Sequence, residues 1–140
     1  MPKRWILAWL GASVLGVANG VSREKIYADD VSDDAAHVIS TGTLLALLAG
    51  YIWLLQLRWP LDSRRQALSV GAAWAAMTVA FEFGFGHWVD GDDWSALLEN
   101  YDVSAGRVWI LVPAAMGAGP ELARRLATRE RHDVRHLQAA

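Results

Sequence analysis

Glu82 lies directly after an uncharged apolar stretch, residues 67–81, and it is the residue of this chain that most requires a chemical explanation. A charge at the centre of a bilayer costs roughly 2.5–3.5 kcal/mol even on the mildest insertion scale, so such a carboxylate needs a partner, a nearby interface or a proton. Thr78 precedes it by four residues and shares its helical face; His37 and Thr41 have the same spacing. With a rise of ~1.5 Å per residue, Glu82 and Arg107 each fall roughly 6 Å inside the outer ends of two consecutive apolar segments. An ion pair between them is the expected way to satisfy both charges, either as a structural clasp or as part of a ligand-binding or proton-handling site.

Other polar residues converge on the same end. Asn19, Arg23 and Glu24 close the first apolar segment; His37, Ser40 and Thr41 open the second; Tyr101, Asp102 and Arg107 begin the fourth. Together Asn19, Arg23, Glu24, His37, Thr41, Glu82, Asp102 and Arg107 are the candidates for an outward-facing polar pocket. His37, with an unperturbed pKa near 6.5, is either a polar helix-start residue or a pH-sensitive group. His132 and His136, spaced i, i+4, and His87 beside Asp90, Asp92 and Asp93 have the residue types of metal ligands. Neither group completes a zinc or calcium signature, and the expectation is solvated surface with no metal site. No catalytic residue is assigned, because no nucleophile or metal signature accompanies His37, Ser40 or Glu82.

The elements that must carry these residues are membrane helices. Of 140 residues, 54% are hydrophobic and eight are Trp, which is too apolar for most soluble domains of this size. Four segments, residues 5–22, 38–57, 67–86 and 103–122, come close to the ~20 residues needed to cross a bilayer. The expected fold is all-α: a compact bundle of four transmembrane helices over residues 1–123, followed by a basic tail, 124–140. Ten of the thirteen basic residues flank the inner ends of these segments, while Arg23, Lys25 and Arg107 share the other two loops with most of the acids. The positive-inside rule therefore places both termini in the cytoplasm. Trp5 and Trp59 fall at the inner boundary, and Trp88, Trp94 and Trp109 near the outer one, as an aromatic belt requires. Pro113 and Pro120 predict a kink in the fourth segment.

The first segment can also be read as a cleaved signal peptide, with Lys3 and Arg4 before an apolar run that ends in small residues. Against this, Ala8, Ala12, Gly16 and Gly20 recur every four residues, a pattern that packs helices closely. Gly42, Ala46 and Gly50, and Ala72, Ala76, Ala80 and Gly84, predict similar contacts. The run 81–86 alternates like a strand, but an open strand inside a membrane leaves its backbone unsatisfied, so helix is expected.

The segments "NGVSRE" (19–24), "AHVIST" (36–41), "FEFGFG" (81–86) and "GRVW" (106–109) resemble a family of small four-helix bacterial membrane proteins to which no activity is assigned. The resemblance spans most of residues 15–122. It implies a bacterial inner-membrane location and brings no catalytic residues or cofactor with it. Net charge is only −2, which predicts no nucleic-acid partner, and the absence of Cys excludes disulfides and thiolate chemistry. A transporter or channel would need polar groups across the whole membrane, and the inner halves offer little beyond Tyr51, Gln56 and Ser69. An enzyme acting on a lipid or envelope substrate would need a recognisable nucleophile. The expected function is therefore that of a membrane-embedded binding or accessory protein. Its partners would be the bilayer and either a second copy or another membrane subunit.

Overall fold

The computed structural model describes residues 2–140. The chain is all-α, with no strand among the described residues. Helix α1, Lys3–Ser22, ends in a single π-helical turn, Arg23–Tyr27; α2 spans Asp33–Arg58 and α3 Arg64–Trp88. A short helix α4, Trp94–Glu99, and a 3-10 turn, Val103–Ala105, lead into the long α5, Leu111–Ala139. Ser32 and Ser63 cap α2 and α3, accepting hydrogen bonds from the backbone N–H groups of Ala35 and Gln66. The alternating run 81–86 lies within α3, as backbone satisfaction requires.

Helices α1 with its π turn, α2 and α3 are each long and apolar enough to cross a membrane. Their burial pattern differs from that of a water-soluble bundle, because the outer surface is apolar as well as the core. Leu7, Leu10, Val14, Leu54 and Leu57 face outward, whereas Asn19, Ser40, Thr41, Gln56 and Thr78 are buried. In lipid the outer surface has no reason to be polar, and interior polar groups find partners on neighbouring helices.

The fourth predicted span, 103–122, is not such a helix. Its first residues form the 3-10 turn and an irregular stretch, and the helix starts only at Leu111. From there to Pro120, the residue before Glu121, the apolar part of α5 covers about 15 Å at ~1.5 Å per residue, short of a hydrocarbon core of roughly 30 Å. The cause is local: Asp102 caps the 3-10 turn, Gly106 takes φ 80° and turns the chain, and no helix can begin until both are passed. Pro120 is accommodated within α5, which continues unbroken to Ala139.

Around the bundle the order is α1, α2, α5, α3. Helix α1 runs antiparallel to α2: the Trp5 indole donates to the Trp59 carbonyl at 2.9 Å, and at the other end the Asn19 amide donates to the Ser40 carbonyl at 2.9 Å and hydroxyl at 2.7 Å. It runs parallel to α3, where the Trp74 indole donates to the Trp5 carbonyl at 2.8 Å and the Trp9 indole to the Thr78 hydroxyl at 3.0 Å. Trp5, Trp74, Leu44, Leu48 and Val70 fill the core. Trp5 is thus a core residue, only 1% exposed, and not the inner belt anchor its position in sequence predicts.

The small-residue stripes meet expectation only in part: Ala12 is buried in the core and Ala8 packs against it. Gly42, Ala46 and Gly50 and Ala72, Ala76 and Ala80 face outward, and a Cβ placed on Gly16 or Gly20 would meet nothing within 4 Å. The close helix approach lies elsewhere. A Cβ on Gly71 of α3 would strike the carbonyl of Gly117 on α5, so these two backbones touch only because neither residue has a side chain.

Candidate functional site

The site forms where the C-terminal ends of α1 and α3 and the N-terminal end of α2 meet the connection that carries α4. Gly86 allows α4 to settle on α3, since a Cβ there would collide with the Leu97 side chain. Phe83 stacks on Tyr101 and Trp94, with ring centroids 5.6 and 6.5 Å apart. His87 stacks on Trp94 at 3.9 Å, and its Nδ1 pairs with the Asp92 carbonyl at 2.8 Å. This aromatic cluster holds the connection down over Glu82.

Glu82 accepts a hydrogen bond from the Tyr101 hydroxyl, with the Trp109 indole beside the same carboxylate. Burial, reinforced by the neighbouring carboxylate, keeps the Tyr101 phenol above its ordinary pKa range, so it remains a donor. The predicted partner of Glu82 is therefore corrected. Arg107 is exposed and forms no ion pair among the described residues; its backbone N–H donates to the Asp102 carbonyl at 3.2 Å. Because the chain is not yet helical at Arg107, equal depth along two ideal helices does not bring the side chains together.

Above Glu82 lies a cavity of about 360 Å³. Five of the eight sequence candidates line it: Arg23, His37, Thr41, Glu82 and Arg107. The other three have different work. Asn19 is buried and committed to Ser40. Glu24 points to solvent, its side chain 72% exposed, and pairs with Arg23 at 3.6 Å. Asp102 caps the 3-10 turn, where bonds from the Ser104 hydroxyl and the Ser104 and Ala105 N–H groups hold its carboxyl below the usual range. Tyr101 and Trp109 also line it, beside Asp34, Asp90 and Asp92, and none of these was among the expected pocket residues. Read as a helix opening, Tyr101 gave no reason to point back at Glu82.

A second, apolar cavity of about 190 Å³ lies deeper, lined from α1, α2, α3 and α5. Phe81, Glu82 and Trp109 border both cavities. Thr78 and Ser13 are the other polar residues of the lower one, and both already hold hydrogen bonds, with the Trp9 indole and the Trp9 carbonyl respectively.

No nucleophile–base pair is assembled here. The Ser40 hydroxyl is held by Asn19, and His37 Nδ1 pairs with the carbonyl of Asp33 on its own helix at 2.9 Å. Among the described residues, no three His, Asp or Glu side chains converge as metal ligands. At the opposite end of the bundle, sequence reasoning overlooked Glu121, a buried carboxylate held by Arg124 and Arg125 one turn further along α5, with N···O distances of 2.8 and 2.7 Å. Its charge is satisfied locally, which makes it structural. No protein-family model, curated protein or solved structure matches the chain.

Proposed function

We propose that the protein is a membrane-embedded binding protein whose site is the polar cavity over Glu82, opening on the outer face of a bacterial inner membrane. In this reading both termini are cytoplasmic, and the apolar half of α5, sheltered between α2 and α3, completes a four-helix bundle. The observation that carries it is the cavity itself: about 360 Å³ is within the range of small-ligand sites, roughly 300–1,000 Å³, and its walls combine aromatic surface with a few polar groups. A transporter or channel subunit is less well supported. Below Thr78 the interior is closed by Trp74, Leu48 and Ile52, all fully or almost fully buried, so no polar path continues inward. An enzyme is disfavoured by the commitments of Ser40 and His37 described above.

Because the chain has no Cys, single cysteines report cleanly on access. His37→Cys and Arg107→Cys should react with a membrane-impermeant maleimide added to intact spheroplasts, and Gln66→Cys should not. Labelling of Gln66→Cys alone would invert the topology and sink the outward-facing site.

A further inference from the structure

We infer that the ligand is a zwitterionic amphiphile, its headgroup in the polar cavity and its hydrocarbon chain in the apolar cavity beneath; the inference rests on the outward-facing site proposed above. The two cavities are stacked and share three residues, Phe81, Glu82 and Trp109. A purely polar ligand would leave the lower space unused. That space has mostly apolar walls, including Ala12, Leu44, Val112 and Met116, and below Glu82 its polar side chains Ser13 and Thr78 already hold hydrogen bonds. Such a lining favours hydrocarbon over water. Helix α1 crowds neither cavity: Gly16 borders the lower one, Gly20 borders the upper one, and neither would have a neighbour within 4 Å of an added Cβ.

The headgroup chemistry follows from the charges around the upper cavity. Arg23 and Arg107 can face a phosphate, and Asp34, Asp90 and Asp92 can face an ammonium group. Glu82 is engaged by Tyr101 and closes the floor. A simple anion would meet a surplus of acids, and a simple cation would leave both arginines without a counter-charge. A headgroup bearing both charges satisfies both sets.

The test uses the full-length protein in a maltoside detergent with three probes: lysophosphatidylethanolamine, lysophosphatidylglycerol and chain-free glycerophosphoethanolamine. Calorimetry or native mass spectrometry should show the first binding at least tenfold more tightly than either of the others. Gly16→Leu, which extends a side chain into the lower cavity, should weaken lysophosphatidylethanolamine at least tenfold and leave glycerophosphoethanolamine unchanged; Ser13→Leu does the same from one turn away if Gly16→Leu does not fold. Equal binding of the headgroup with and without its chain, unaffected by both variants, would overturn the amphiphile while leaving the outer site intact. Preference for lysophosphatidylglycerol would overturn the zwitterion. Binding of none of the three would overturn the inference as a whole, and cysteine labelling then judges the outer site independently.

Discussion

At the scale of single residues, the partner of Glu82 decides what its removal should do. The carboxylate is held by a neutral phenol, so Tyr101→Phe should lower stability in detergent by about 1.5–3 kcal/mol, the usual worth of a hydrogen bond to a charged group. In a Glu82→Gln background the same change should cost clearly less, because the two residues share one interaction. Thermal or denaturant unfolding of the four variants closes this cycle, and strictly additive losses would contradict the contact. Arg107 stands apart. As an exposed side chain with no ion pair it should tolerate Arg107→Gln within about 0.5 kcal/mol, so any loss of ligand binding in that variant reflects the site and not the fold.

Between elements, glycine positions separate packing from open space. Gly71→Ala drives a methyl into the Gly117 carbonyl and should cost about 1–3 kcal/mol, since a backbone cannot move aside as a side chain can. Gly16→Ala and Gly20→Ala meet nothing and should be neutral or stabilising by up to about 1 kcal/mol from helix propensity. Melting temperatures of the three variants check this directly; equal losses at all three positions would mean that α1 is packed and its cavities are filled. Gly86→Val bears on the connection above the site. By displacing Leu97 it should lift α4 off α3 and speed maleimide labelling of a cysteine at Thr41, with the rate as the readout.

For the whole molecule, the placement of α1 argues that it stays attached. Trp5 is fully buried, accepts from the Trp74 indole through its carbonyl and donates to the Trp59 carbonyl. A chain lacking α1 would expose the Trp74 core and lose one wall of both cavities. Intact mass of the membrane-extracted protein should therefore include residues 3–22, and a mature chain starting near Asn19 would refute the bundle as described. A reporter active only in the cytoplasm, fused after residue 140, should be active, because α5 runs antiparallel to α3 and returns the chain to the side from which it started.

The sequence alone determined the all-α class, three of the four apolar segments it predicted and the gathering of polar residues at one end, because these depend on the length, hydropathy and sign pattern of contiguous segments. It also singled out Glu82, since a carboxylate after an apolar run is conspicuous wherever the helix sits. Only the tertiary structure decided which group meets that carboxylate, which glycines touch another helix, and that residues 103–110 form a turn above the site instead of the start of a span. These outcomes depend on helix rotation and on the path of an irregular loop, and neither leaves a periodic mark. A stripe of small residues looks the same in sequence whether it faces a neighbouring helix, lipid or a cavity. In this chain Ala8 and Ala12 pack on the core, the stripes of α2 and α3 are exposed, and α3 meets α5 at Gly71 and Gly117.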